Sequence, residues 1–489
     1  MGEWAGAAFA LAIGLLWAGL SGCTTNPATG DSSFTGGFGK AEEINVGRRE
    51  HPRVLRSFGG EYGTPGLRRY VASIGQLLAG TVERRDLKYT FTIVNSDIVN
   101  AFAMPGGYVY VSRGLLALAS NEAELASVLA HELGHVNALH HGRRKGDNLL
   151  ANILVTGLGI AVGRGAAQLG GLVAGGVLSS YSREHEYEAD QLGIRYMTRA
   201  GYDPSASVEF LRKMRDEARF QAKRLGRSPD KVDEFNYLAT HPAPSDRVAR
   251  AARLATAARV ADPMLAAGIY LDQIDGMLYG DDPAQGFIRG RLFAHPGLRF
   301  RFEVPPGFRL FNSPRAVIAR GPNEALIRFD HAAKPADGPM RYYLTDIWGR
   351  RAGVSKVETL RINGLEAATG ITRGRVNGKS RDLRLLAIRK NLQTIYRFVF
   401  ISRPRDTVGL APAFRRTSHS FRLMGKAEAS ALRPFKLRVV RAGTADSAAA
   451  LAARMATGPD LALELFRALN GLRGGRDVRP GQRVKIVAR

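Results

Sequence analysis

Apolar and polar residues change their periodicity along the chain, and the changes predict its elements. Helical spacing predicts a helix at 67–78 and another at 121–142, the second with Asn121 and Glu124 placed for a capping box. A β-branched and aromatic run predicts a strand at 89–94. The first half of the chain is therefore expected to be mainly helical with a small sheet.

The second half alternates apolar and charged residues instead. This alternation begins near 298, and Asn-Gly pairs at 363–364 and 377–378 indicate hairpins. The last segment has the pattern strand, helix, helix, strand. The predicted fold class is α+β. It consists of a mainly helical domain with a small sheet at 40–280, a mainly β domain without evident chemistry at 288–425, and a small βααβ module at 435–489.

The N-terminus has the pattern of a secretory leader. An apolar run at 7–17 is followed by Leu-Ser-Gly-Cys at 20–23, which is similar to a bacterial lipobox, although the leader contains no Lys or Arg. Because Cys23 is the only cysteine, we expect 1–22 to be a signal peptide and Cys23 to be lipidated. The segment 23–39 is then the lipidated N-terminus and a flexible tether. An uncleaved anchor and an ordinary signal peptide are the alternatives.

The chain is strongly basic, with a net charge of +26 over 489 residues. A polyanion partner is one explanation, and a general preference for Arg is the other. The positive charge is spread along the chain without a dense basic block, which favours the second explanation. No nucleic-acid-binding motif is present, so nucleic acid is not expected as a partner.

The motif His-Glu-Leu-Gly-His at 131–135 points to metal chemistry. On a helix, His131 and His135 lie on one face and can bind one metal ion from consecutive turns. Zinc suits neutral imidazole and keeps an open position when the protein supplies three ligands. Glu132, beside that face, can act as the general base for the attacking water. The motif predicts a peptidase with one zinc ion per chain.

Two residues compete for the third ligand position. His141 has the spacing of the metzincin motif, but Ala138 stands where that motif needs glycine. Glu186 is the other candidate, and Asp190, four residues later on the same helix face, can hold a ligating histidine in place. The nearby carboxylates at 184 and 188 are expected to be solvated charges.

These residues together resemble the gluzincin group that includes the HtpX heat-shock, CaaX prenyl, mitochondrial Oma-type and periplasmic BepA-type proteases. The matching motifs, spread over roughly 42–260, are Asn-Ala-Phe-Ala-Met-Pro-Gly-Gly at 100–107, the motif at 131–135, Glu186 with Asp190, and Thr-His-Pro at 240–242 followed by Arg247. The resemblance implies that Asn100, Ala101, Phe102 and Ala103 bind substrate as an edge strand. It also implies that His241, supported by Arg247, either stabilises the oxyanion or occupies the open zinc position as a latch.

The C-terminal module resembles LysM, a small binder of cell-wall glycan. Asn-Gly-Leu at 470–472 and Pro-Gly-Gln at 480–482 match, whereas Gly-Thr-Ala at 443–445 replaces the usual Gly-Asp-Thr. The expected function is a periplasmic zinc endopeptidase that cleaves misfolded or misassembled envelope proteins. It would be held at the outer membrane by its lipid and at peptidoglycan by this module. The alternatives are a catalytically silent cell-wall-binding lipoprotein, a muralytic hydrolase and a metzincin-type protease using His141.

Overall fold

The computed structural model describes residues 23–35, 37–144, 181–224, 228–229, 245–314, 316–332, 336–376, 378–458 and 460–489. The predicted signal peptide at 1–22 and His241 lie outside the described residues. None of the helices in this part of the chain has both the length and the apolar content needed to cross a bilayer.

The first region packs helices around a three-stranded sheet. Its strands have the order β3-β5-β4, with β3 parallel and β4 antiparallel to β5, so β4 is an edge strand. The elements are α1 (Lys40–Ser57), α2 (Pro65–Ala79), β3 (Thr90–Val94), β4 (Ala101–Met104), β5 (Tyr108–Ser112), α3 (Arg113–Leu118), α4 (Glu122–Asn137), α5 (Arg183–Arg199), α6 (Ser205–Arg224), α7 (Ser245–Ala257) and α8 (Ala267–Ile274).

Residues 23–35 are more ordered than the predicted tether. Strands β1 (Cys23–Thr25) and β2 (Ser32–Phe34) pair as an antiparallel hairpin, and Asn26 beside them is 1% exposed. The expectation of flexibility is corrected for this part because polar residues, which give no apolar pattern, hold the hairpin through hydrogen bonds.

Helix α4 ends earlier than its sequence pattern predicts. The prediction extended it to 142, whereas it ends at Asn137 and Leu139 adopts a left-handed backbone with φ of 57°. The Asn137 amide donates to the Leu133 carbonyl at 2.7 Å and its oxygen accepts from the Arg84 N–H at 2.9 Å. Such side-chain bonds compete with helix continuation. After the turn at 138–139, His140 Nδ1 lies 2.8 Å from His135 Nδ1.

The middle domain is mainly β, as predicted. One sheet has the order β10-β11-β12-β16-β15-β14-β13 and the other β17-β9-β8-β7, around a core rich in phenylalanine with α10 beside it. Its elements are β7 (Phe287–Arg289), β8 (Leu292–His295), β9 (Phe300–Glu303), β10 (Arg309–Asn312), β11 (Val317–Arg320), β12 (Leu326–His331), α9 (Met340–Tyr342) continuing as a π-helical turn (Tyr343–Trp348), β13 (Ser355–Ile362), β14 (Leu365–Val376), β15 (Lys379–Asn391), β16 (Thr394–Ser402), α10 (Thr407–Ser420), β17 (Arg422–Leu423) and α11 (Lys426–Ala431).

The C-terminal module has the predicted order of strand, helix, helix and strand. It consists of β18 (Phe435–Arg441), α12 (Ala448–Ala453), α13 (Ala462–Asn470) and β19 (Arg483–Ala488). Strand β18 pairs with β19 and also with β6 (Leu278–Tyr279), which follows α8. The apolar core of the first region continues into the module, so these two parts of the chain share one core.

Candidate metal centre

The start of helix α4 is held by the predicted cap. Asn121 Oδ1 accepts from the Glu124 N–H at 2.8 Å, and Glu124 Oε2 accepts from the Ser120 N–H at 2.8 Å. A buried ion pair between Glu124 and Lys213 of α6, 2.8 Å long, fixes the same turn to the neighbouring helix. The helix that carries the motif therefore has a defined position.

Three side chains from helices α4 and α5 converge in the interior. His131 and His135 approach each other to 3.0 Å between their Nε2 atoms. Glu186 Oε2 lies 3.5 Å from His131 Nε2, and Glu186 Oε1 lies 3.4 Å from His135 Nε2. These three form a group that could hold a metal ion, with their donor atoms within 4.8 Å of one another.

Asp190 and Arg247 hold this group from one side. His131 Nδ1 lies 2.9 Å from Asp190 Oδ1. The Arg247 guanidinium donates to both carboxylate oxygens of Asp190, at 2.6 and 2.8 Å, and its third nitrogen lies 2.7 Å from Glu186 Oε2. Among the described residues, Arg247 also approaches the His131 ring to 3.4 Å. Support of His241 by Arg247 stays a prediction, because His241 lies outside the described residues.

His140 holds the group from the other side. Its Nδ1 lies 2.8 Å from His135 Nδ1, and its Nε2 lies 3.1 Å from Glu188 Oε2. Arg143 donates to the same Glu188 oxygen at 2.7 Å. Burial favours the neutral acid, but hydrogen bonds from His140 and Arg143 and the positive charge of Arg143 outweigh burial and lower the pKa of Glu188 to about 2. Glu188 is thus a paired carboxylate rather than the solvated charge expected from the sequence.

The donor set fits a zinc ion. When His131 and His135 carry their protons on Nδ1, their Nε2 atoms, 3.0 Å apart, both present a lone pair beside the Glu186 carboxylate. A cation bound at this place would stabilise the arrangement. The same surroundings favour a protonated His131. Burial lowers its pKa, but hydrogen bonds to the carboxylates of Asp190 and Glu186 outweigh burial and raise the pKa to about 9. Burial keeps the pKa of His135 well below its ordinary value. Two imidazoles and one carboxylate are a typical catalytic zinc set with an open fourth position.

Glu132 and the expected substrate strand border one cavity. Its lining includes His131, Glu132, Asn100 and Ala101. It also includes apolar side chains, among them Val128, Ile194, Phe210, Leu211 and Met214. Phe102 and Ala103 continue the edge strand β4 and are buried. The structure therefore brings the expected base, one ligand and the start of the expected substrate strand to the same opening.

The remaining sequence candidates lie elsewhere. His141 Nε2 lies 2.9 Å from the Tyr181 hydroxyl, and His141 does not belong to the metal-binding group found among the described residues. Cys23 begins strand β1. Sequence reasoning missed His140, although it lies only five positions after His135. It also missed Tyr181, whose ring stacks on His135 with 3.9 Å between ring centres.

The part of the chain that forms this centre matches a known family. Residues 65–255 match the sequence model of peptidase family M48. The match covers both helices of the metal centre and supports metalloprotease activity for this region.

Curated relatives agree with the M48 match. The beta-barrel assembly-enhancing protease of Escherichia coli (strain K12) is 33% identical over 244 residues, which is 46% of this chain and 48% of that protein. The mitochondrial metalloendopeptidase OMA1 of Schizosaccharomyces pombe is 28% identical over 179 residues, covering 37% and 50%. The chain spans about half the length of these relatives.

Among solved structures, the cyanobacterial PsbP of Synechocystis sp. PCC 6803 is 16% identical and matches with a TM-score of 0.23 over 28% of this chain and 98% of that one. A TM-score this low has no bearing on fold or function.

Proposed function

We propose that this chain is a zinc-dependent endopeptidase that cleaves misfolded or misassembled envelope proteins. The observation that carries the proposal is the convergence of His131, His135 and Glu186, with Glu132 beside them on the wall of a cavity. A catalytically silent protein would have no use for this set of donors next to an opening. The M48 match supports the same class of reaction.

The side chains of the centre have separable roles in this proposal. His131, His135 and Glu186 would hold zinc, which when bound supplies Lewis-acid chemistry to the peptide carbonyl and the attacking water. Glu132 would take the proton from that water and pass it to the leaving amine. Asp190 and Arg247 would keep His131 and Glu186 in their orientations.

The substrate would bind in extended form along β4. This strand is paired on one side only within its sheet, and an extended peptide can add to such an edge through main-chain hydrogen bonds. The apolar residues that line the cavity would take a hydrophobic side chain beside the bond to be cut. Unfolded proteins offer extended segments with exposed apolar residues, which fits the proposed substrate class.

Location and partners are part of the proposal. Lipidation at Cys23 would hold the enzyme at the outer membrane, in the periplasm, and the module at 435–489 would contact peptidoglycan. The names of the Escherichia coli and other bacterial relatives refer to β-barrel assembly, which supports an envelope substrate. Nucleic acid has no place in this scheme. Mutation of His241 would distinguish its two possible roles, as a latch on the metal or as a donor to the oxyanion.

A substrate trap tests the proposal. Cells that produce Glu132→Gln in place of the wild type should accumulate uncleaved envelope proteins, which are identified by mass spectrometry of crosslinked complexes. The purified wild type should cleave these proteins and casein and release no muropeptides from cell-wall sacculi. Muropeptide release without casein cleavage would show the muralytic alternative instead.

A further inference from the structure

The N-terminal hairpin reaches the metal centre through one buried amide. Asn26 Nδ2 donates to Glu188 Oε1 at 2.8 Å, across 162 positions of sequence. The orientation of this amide is fixed, because its oxygen accepts from the Ala28 N–H at 2.9 Å and only its nitrogen is left to donate. Backbone bonds from Asn26 N–H to the Asp31 carbonyl and from Gly30 N–H to the Asn26 carbonyl hold the turn itself.

Other contacts fix the hairpin to helix α5. The Arg195 guanidinium, two turns after Glu188, donates to the Ala28 carbonyl at 3.1 Å. Within the hairpin, the hydroxyls of Thr24 and Thr35 are 2.9 Å apart. The buried position of Asn26 is therefore defined from both sides, and the amide is available to orient the Glu188 carboxylate.

Glu188 in turn determines the proton positions on His140. Its Oε2 lies 3.1 Å from His140 Nε2, and an ionised carboxylate only accepts, so this nitrogen carries the proton. His140 Nδ1 then has a lone pair that faces His135 Nδ1 at 2.8 Å. The His140 ring is fully buried and stacks on His185 with 4.3 Å between ring centres, which fixes its plane.

The proton position on His140 also determines the proton position on His135, a predicted metal ligand. A lone pair on His140 Nδ1 requires a proton on His135 Nδ1, and this leaves the lone pair of His135 on Nε2. That Nε2 is the atom that faces His131 and Glu186. Each step therefore specifies the next, from the amide at the hairpin to the nitrogen that would bind zinc.

We propose that Asn26, Glu188 and His140 form a positioning chain for His135, so that the N-terminal hairpin is a structural part of the metal centre. The inference rests on the proposed function, since it concerns the same zinc site. These three residues are positioning residues, because they act on the metal only through His135. The hairpin at 23–35 is thus required for full metal affinity, although it lies outside the region that matches family M48.

Zinc affinity tests the positioning chain without an activity assay. We expect His140→Phe and Glu188→Gln to weaken zinc binding by about 10- to 100-fold, because groups that orient metal ligands typically contribute this much to metal affinity. Asn26→Leu should weaken zinc binding measurably but less, because it acts through Glu188. Affinity is measured by competition with a chromophoric chelator on folded full-length protein. The cobalt-substituted forms should show shifted visible spectra, because these report ligand geometry.

Matched controls separate positioning from general damage. Glu184→Gln changes an exposed carboxylate of the same helix α5, and Ser32→Ala changes an exposed hairpin residue. Both should bind zinc like the wild type. If His140→Phe does not fold, Asn26→Leu and Glu188→Gln decide the question.

The positioning chain would be overturned if folded Asn26→Leu and Glu188→Gln both bound zinc with wild-type affinity and gave unchanged cobalt spectra. The proposed function would then stay intact. A wild-type protein that binds no zinc would overturn both.

Discussion

Arg247 is the residue on which the charge balance of the centre depends. It is 3% exposed and contacts the carboxylates of both Asp190 and Glu186. These contacts raise its pKa although burial opposes them, so the side chain stays charged. Removing the cation would leave two buried carboxylates without compensation.

We therefore predict that Arg247→Met lowers the free energy of unfolding of metal-free protein by about 3–5 kcal/mol. Urea denaturation in the presence of a chelator measures the change. Arg253→Met, on the exposed side of the same helix, is the control and should change it by less than about 0.5 kcal/mol. Equal effects of the two substitutions would show that the Arg247 contacts do not stabilise the fold.

Residue spacing allowed part of this centre to be predicted. His131 with His135, and Glu186 with Asp190, are i,i+4 pairs on helices, so helical geometry alone places each pair on one face. His140 could not be assigned this way, because its position depends on the end of α4 at Asn137. The contact of Asn26 with Glu188 has no local signal at all, since the partners meet only in the folded chain.

Helices α4 and α5 approach each other closely because glycines lie between them. A Cβ added at Gly134 would lie 2.9 Å from the Ala189 carbonyl oxygen, and one added at Gly193 would lie 3.0 Å from the His131 backbone nitrogen. The histidines lie on α4 and Glu186 on α5. The spacing of the two helices therefore sets the size of the metal centre.

We predict that Gly134→Ala lowers the free energy of unfolding by about 1–3 kcal/mol, since backbone overlap outweighs the roughly 1 kcal/mol gained in helix propensity. It should also weaken zinc binding by moving Glu186 away from the histidines. Thermal unfolding with and without zinc measures both effects. Gly409→Ala, in helix α10 with open space around it, is the control and should be neutral or stabilising. A Gly134→Ala protein as stable as this control would contradict the account.

The first region and the C-terminal module form one structural unit. Lys485 of β19 is 1% exposed and donates to the carbonyls of Ala117, Leu118 and Ala119 at 2.8, 2.9 and 2.6 Å, at the C-terminal end of α3. The C-terminal module is thus fixed to the peptidase region and not connected as an independent domain.

We predict that Lys485→Met lowers the free energy of unfolding by about 3 kcal/mol, because three buried carbonyls lose their donor. Guanidinium denaturation followed by circular dichroism measures this. Arg476→Met, at an exposed position of the same module, should have little effect. A separate unfolding transition for the module, unaffected by Lys485→Met, would contradict the shared core.

The sequence predicted the order of the regions but not how they join or where the charge lies. The pairing of β6 with β18 links positions about 160 residues apart, which no local pattern encodes. The positive charge is also less evenly spread than expected. Residues 288–425 contain 27 Lys and Arg against 9 Asp and Glu, so the β domain carries +18 of the net +26.

The central claim is tested most directly by zinc content and proteolysis of one pair of proteins. The wild type should bind about one zinc per chain, cleave casein, lose activity to a chelator and regain it with zinc. Glu132→Gln should hold the same zinc and fold equally well but cleave about 10²- to 10⁴-fold more slowly, because the attacking water has lost its base. Folded wild type without zinc, or Glu132→Gln with wild-type turnover, would contradict the account.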